Sequence, residues 1–220
     1  MYNDVIVKTQ SFGGCDLDAT FDQAHNPRGV VLFSHNSHGN KDDVVLTNIQ
    51  ANLFNLRYTT LRYNFHFVAK KIAPENVRPE DLVEDLDSAY SFMLQKVVVP
   101  NVYLIGRSLG GVVSAKFAVE NRLRCPVVIL GFHLESFQKM IDEQFLKSLK
   151  SKLFVLHGAK DEYNSSTDVR NYLSKLGLSF EVREIAGASH NLLSADESVR
   201  TSEDVLEEVV TDCIEFVSTN

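Results

Sequence analysis

The sequence predicts an α/β protein, a mostly parallel sheet with helices on both faces. Three observations carry that expectation. Short continuous apolar runs such as Gly29 to Phe33 and Pro126 to Phe132 suit strands buried on both sides. Between them lie segments with apolar residues at helical spacing, and strand and helix alternate regularly from residue 29 onward. One junction, Gly106-Arg107-Ser108-Leu109-Gly110-Gly111, joins an apolar run to a helix-compatible run through a crowded turn.

Taken in order, Val5 to Lys8 and Cys15 to Phe21 read as an opening antiparallel hairpin, joined at Ser11-Phe12-Gly13-Gly14. Gly29 to Phe33 is the third strand, followed by the polar loop Ser34 to Asn40. A helix from about Asp42 sets Val45, Leu46, Ile49, Leu53 and Leu56 along one face. Thr59 to Phe65 is the fourth strand, and His66 to Arg78 reads as a polar loop at one edge of a site. Pro79, with Glu80 and Asp81 behind it, opens the next helix.

The strand Val102 to Ile105 and its helix come next, then the strand Pro126 to Phe132. One helix, Glu135 to Lys150, separates that strand from Leu153 to Leu156. Thr167 to Leu176 is helical and stopped by Gly177. Phe180 to Ile185 is the eighth strand. The last helix carries Val205, Leu206, Val209, Val210, Cys213, Ile214 and Val217, with Thr201 or Ser202 as its cap.

Composition narrows the class. The chain has 220 residues, 44% hydrophobic and 23% charged, which fits one domain spanning 1–220 with a sizeable core. A formal net charge of −7 argues against a nucleic-acid partner. Cys15, Cys125 and Cys213 are odd in number and far apart, so they read as free thiols in a reducing compartment. The first ten residues carry no secretory pattern, and no apolar run approaches the ~20 residues that span a bilayer. The expectation is a cytoplasmic protein with no membrane partner. Neither a HExxH-like pair nor a Cys/His spacing points to a metal, and no cofactor is expected.

The chemistry-bearing residues fall at strand ends, where open parallel sheets bind their ligands. Ser108 follows the fifth strand between Gly106 and Gly110, Asp161 follows the seventh, and His190 follows the eighth. A serine hydroxyl needs an imidazole to take its proton, and the imidazole needs a carboxylate on its far nitrogen. Glu162 and Glu135 are rival acids, and Asp161 is preferred for its position in the loop. An oxyanion formed during attack needs N–H donors. Leu109, at a helix start, supplies one. Asn36 or Ser37 supplies the second, with Ser37 preferred.

Other residues have competing readings. His38 and His66 could line a pocket mouth or be simply exposed. His133 could contact substrate. His35 and His157 read as structural, and His25 as a solvated turn residue. Arg107 could face a core, pair with an acid, or meet an anionic substrate.

These features resemble the α/β-hydrolase family over essentially the whole chain. The resemblance rests on the Gly106-to-Gly111 elbow, on Leu156-His157-Gly158 with Asp161, and on Gly187-Ala188-Ser189-His190. The chain is most similar to small lidless members, the dienelactone hydrolases and the predicted hydrolases beside them. The latter share the G-R-S-x-G-G elbow, a run like Arg62-Tyr63-Asn64-Phe65, and a G-x-x-L run, here Gly131-Phe132-His133-Leu134. The resemblance implies an α/β-hydrolase fold with an eight-stranded sheet and no cap domain. It also implies a serine hydrolase acting on a small ester or thioester through a Ser108 acyl-enzyme, with a small-molecule acyl substrate as its partner. One departure is visible. Where the family has His-Gly and further glycines, this chain has His35-Asn36-Ser37-His38-Gly39. The alternative reading is a non-catalytic binding or scaffold protein that keeps the fold.

Overall fold

The computed structural model describes residues 4–8, 16–98 and 101–220. Among these residues eight strands form one sheet: β1 (Asp4–Val7), β2 (Leu17–Asp22), β3 (Gly29–Ser34), β4 (Tyr58–Tyr63), β5 (Val102–Arg107), β6 (Val127–Leu130), β7 (Leu153–Gly158) and β8 (Phe180–Ile185). Their order across the sheet is β1-β2-β4-β3-β5-β6-β7-β8. The pairs β1/β2 and β2/β4 are antiparallel, and every later pair is parallel. The expected hairpin turn at Ser11 to Gly14, and Cys15, lie outside the described residues.

Side-chain alternation along each strand divides the interior into two cores. Val31, Phe33, Tyr103, Ile105, Val128 and Phe154 face one side, packed by helices α1 (Val44–Asn55) and α8 (Ser202–Thr219). Val30, Leu32, Leu104, Val127 and Val155 face the other. That side is packed by α3 (Pro79–Lys96), α4 (Leu109–Glu120), α5 (Leu134–Met140), α6 (Glu143–Leu146) and α7 (Ser166–Lys175). Burial on both faces is what makes the central strands read as unbroken apolar runs.

Local signals set the helix ends. Asp43 caps α1, accepting the N–H groups of Val45 and Leu46, and Thr201 forms a capping box with Asp204 at α8. Two expectations change. The segment Glu135 to Lys150 is two short helices, because Ile141 is extended and buried and Asp142 caps a fresh start. The stretch His66 to Arg78 holds a short helix α2 (His66–Lys70) and a single 3-10 turn, Pro74–Asn76. His66 does not reach a pocket mouth. It is buried against Asp85 of α3, which accepts its backbone N–H at 2.8 Å and faces its Nδ1 at 2.7 Å.

The connection from β6 to β7 contains only α5 and α6, so no cap domain covers the carboxyl edge of the sheet. Among the described residues, no helix is long and apolar enough to cross a membrane.

Candidate active site

At the end of β5 the chain reverses from strand to helix within one residue. Ser108 takes φ +47° and ψ −110°, a backbone state that costs a non-glycine residue about 1–3 kcal/mol. Its N–H is held by the Leu130 carbonyl at 2.9 Å. The turn is possible only because its flanks lack side chains. A Cβ on Gly106 would lie 2.2 Å from the Gly110 carbonyl carbon and oxygen, and one on Gly110 would lie 2.2 Å from the Ser34 oxygen.

Ser108 Oγ lies 2.9 Å from His190 Nε2, and His190 Nδ1 lies 2.7 Å from Asp161 Oδ2. The carboxylate can only accept, so the Nδ1 proton sits between His190 and Asp161 and leaves Nε2 to accept from the serine hydroxyl. Asp161 is buried, which acts to raise its pKa. The His190 hydrogen bond, the Tyr163 N–H and the nearby His190 and His157 outweigh that, and the carboxyl ends below its ordinary 3.8. Its second oxygen accepts the N–H groups of Tyr163 at 2.9 Å and Asn164 at 3.3 Å.

The histidine loop is tightly folded. Ser189 N–H donates to the Leu193 carbonyl and Leu192 N–H to the Ser189 carbonyl, both at 3.0 Å, with Leu192 at φ +51°. Glu162, one of the rival acids, accepts the His190 backbone N–H at 3.2 Å. Glu135 instead pairs with Lys139 on the surface.

A cleft of about 740 Å³ opens over Ser108. Asn36, Ser37, His38, Leu109, His133 and His190 all line it, with Pro74, Val77, Pro79 and Leu82 forming an apolar wall and Met140 and Tyr163 also lining it. His133 caps α5, its Nδ1 accepting from the Ser136 N–H at 3.2 Å and facing the Ser136 hydroxyl at 2.9 Å. The ring proton is therefore on Nε2. Burial, then the neighbouring His190, holds the His133 pKa below its ordinary value.

The departure from the family's glycines is accommodated. The non-glycine residues with positive φ among those described do not include Asn36 or Ser37, so the backbone there needs no glycine. His35 is buried, donates from Nδ1 to the Asn36 carbonyl at 2.7 Å, and accepts the Phe65 N–H at Nε2 at 3.0 Å. Asn36 Oδ1 in turn accepts the His38 N–H at 3.0 Å.

Of the three readings of Arg107, the structure shows the pairing with an acid. Arg107 does not line the cleft as a substrate contact. It is 5% exposed, on the same side of β5 as Tyr103 and Ile105, paired with Asp43 and hydrogen-bonded to Asn191. Sequence reasoning also missed Tyr163, whose ring stands edge-on to His190 at 4.8 Å, and Asn164, which bridges Phe132, Leu134 and His157. Both lie within three residues of Asp161, and their proximity to that strand end was the available signal. Among the described residues no cluster of His, Cys, Asp and Glu could hold a metal.

The alpha/beta hydrolase domain model matches residues 27–218. No curated protein matches the chain in sequence. Solved structures share the fold at low identity. The dienelactone hydrolase from Anabaena variabilis superposes with a TM-score of 0.77 at 18% identity, covering 98% of this chain and 95% of its own. XC6422 from Xanthomonas campestris, described as a serine hydrolase without a lid, gives 0.73 at 16%, covering 100% and 96%. Est1E from Butyrivibrio proteoclasticus gives 0.73 at 15%, covering 98% and 99%. With its elbow, its sheet order and a family match over most of its length, the chain belongs to the α/β-hydrolase family.

Proposed function

We propose that this hydrolase-family protein is a serine hydrolase that cleaves a small ester or thioester. The observation that carries the reading is the hydrogen-bonded series Ser108–His190–Asp161, with links of 2.9 and 2.7 Å. His190 Nε2 takes the Ser108 hydroxyl proton as Oγ attacks the carbonyl carbon, while Asp161 holds the imidazole in the required tautomer. Collapse of the tetrahedral adduct breaks the bond to the alcohol or thiol, which leaves with the proton from Nε2. Water then attacks the acyl-serine by the same route, returning the serine and releasing the acid.

The oxyanion is met by the N–H of Leu109, which at a helix start has no intrahelical acceptor. The second donor is the N–H of Ser37, with Asn36 beside it. Neither has an acceptor among the described residues. His38 and His133 contact the substrate at the cleft walls. The absence of a cap domain favours a small acyl group over a long chain that needs a roof. The non-catalytic alternative rests on the altered loop; the catalytic reading is supported there by backbone at Asn36 and Ser37 that needs no glycine. The free thiols of Cys125 and Cys213 support a reducing compartment, and we read it as the cytoplasm.

The test is fluorophosphonate labelling and turnover of p-nitrophenyl esters and thioesters of graded acyl length. Wild type labels and turns over short acyl substrates fastest, and Ser108→Ala loses both, with kcat falling by about 10⁶. Folded wild-type protein that neither labels nor turns over at Ser108 overturns the proposal.

A further inference from the structure

Arg107 sits next to the nucleophile in sequence and Asn191 next to the imidazole, and the two are bonded to each other. Arg107 Nη2 donates to the Asn191 carbonyl at 2.7 Å and to its Oδ1 at 3.2 Å, while Nη1 pairs with Asp43 Oδ2. The other Asp43 oxygen is occupied, capping α1 at 3.0 and 3.2 Å. The Asp43 side chain is 7% exposed and that of Arg107 6%. Replacing such a buried pair by apolar groups is often neutral or stabilising, so stability alone is a weak reason for an arginine here. Burial lowers its pKa to about 10, leaving it charged at neutral pH.

The geometry has a different use. Ser108 is rooted on the sheet by its N–H bond to Leu130. His190 rides on a loop closed by bonds between Ser189 and Leu193 and tied outward by the His190 N–H to Glu162, while the side of the loop at Asn191 is held by Arg107. A planar guanidinium with one arm on Asp43 and the other on Asn191 is a fixed-length strut between the elbow and that loop. Resting on the serine-hydrolase reading above, we propose that Arg107, locked by Asp43, is a positioning residue that sets the reach of the His190 imidazole to Ser108 through the Asn191 backbone.

The strut predicts a kinetic signature that a purely structural pair lacks. A misplacement of about 1 Å in a reacting group can cost on the order of 10²-fold in rate. Two variants of the full chain test it. Arg107→Lys keeps a charge but loses the planar fork. Asp43→Asn keeps an oxygen to cap α1 while removing the ion pair, and it serves where the arginine variant does not fold. For each, kcat and KM on p-nitrophenyl butyrate are measured together with amide hydrogen exchange at Asn191 to Leu193.

The expected result is a kcat lower by about tenfold or more, KM within about twofold of wild type, and faster exchange at those amides. Unchanged kcat in folded variants overturns the proposal, whatever the exchange. So does a lowered kcat with unchanged exchange, since the effect then does not pass through Asn191. Should wild type show no Ser108-dependent turnover, the hydrolase reading fails separately. Exchange alone then judges the strut, unchanged rates overturning it and faster rates upholding the link from Arg107 to Asn191.

Discussion

The His35 imidazole accepts the Phe65 backbone N–H at 3.0 Å, tying the loop after β3 to the end of β4. Its other nitrogen donates to the Asn36 carbonyl, and in a trans peptide this turns the Ser37 N–H away from the ring. The Phe65 bond needs the neutral ring, because Nε2 must accept, and burial lowers the His35 pKa to about 4 from an ordinary 6.5 against the opposing pull of the Asn36 carbonyl.

That shift predicts acid sensitivity. In the unfolded chain His35 takes a proton below about pH 6.5, whereas the folded protein resists until about pH 4. Between those values the unfolded state binds more protons, so stability falls as pH falls. The contribution is intact above pH 6.5 and lost by pH 4, of order 3 kcal/mol. Urea midpoints measured across this window in wild type and His35→Gln should converge toward low pH. Parallel curves would show that His35 does not carry the effect.

Asp161→Asn should lower kcat by about 10⁴ while leaving the fold intact. The amide oxygen can still accept from Tyr163 and Asn164, but its NH₂ facing His190 moves the ring proton to Nε2, where it blocks acceptance from Ser108. Because the Asp161 carboxyl stays below its ordinary 3.8, any acid limb of kcat/KM above pH 4 in wild type belongs to another group. A pH–rate profile of both proteins checks the point. An Asn variant within tenfold of wild type would remove Asp161 from the proposed chemistry.

Two glycines should respond very differently to alanine. A Cβ on Gly110 meets the Ser34 oxygen at 2.2 Å and the His35 oxygen at 2.7 Å, backbone atoms that cannot swing aside. Gly110→Ala should lose about 3 kcal/mol or more, or fail to fold. Gly177 sits at φ +69° with nothing within 4 Å, and its alanine variant should lose only about 1 kcal/mol of backbone strain. Chemical denaturation of the pair reads the difference.

Asn164→Ala should cost about 1–3 kcal/mol, because the Leu134 N–H and the Phe132 carbonyl lose their partners at 3.1 and 3.0 Å. The bridge sets where α5 begins, so His133 should shift and KM should rise. Asn164→Asp retains the acceptor for Leu134 and should recover part of the loss. Equal KM in all three proteins would show that the bridge does not reach the cleft.

Ser108, Asp161 and His190 were legible in the sequence because each follows a strand that announces itself by composition. Their order and strand-end positions needed no tertiary detail. Arg107 was harder. A charged residue beside a nucleophile suggests a ligand contact, and only the parity it shares with Tyr103 and Ile105 hinted that it faces a core. Its partners, Asp43 and Asn191, lie 64 and 84 residues away in sequence, and no local pattern links them. The break at Ile141 was readable in part, since Asp142 is a good cap, yet the apolar spacing on either side reads as one helix. The cleft wall was legible in part: the loop His66 to Arg78 reads as one edge of a site and Pro79 as a helix start, but which of its side chains turn inward, Pro74 and Val77 among them, is decided by packing alone. The glycine-poor loop misled in the other direction. Its composition implied restriction where the observed dihedrals need none.

The uncovered carboxyl edge of the sheet bears on the fate of the proposed acyl-Ser108. With only two short helices between β6 and β7, bulk solvent can stand directly over the ester. Alcohols and amines added at millimolar levels would then face competition from water at 55 M. Partition of the intermediate should run to the free acid, and transacylation products should stay minor unless the cleft binds the acceptor specifically.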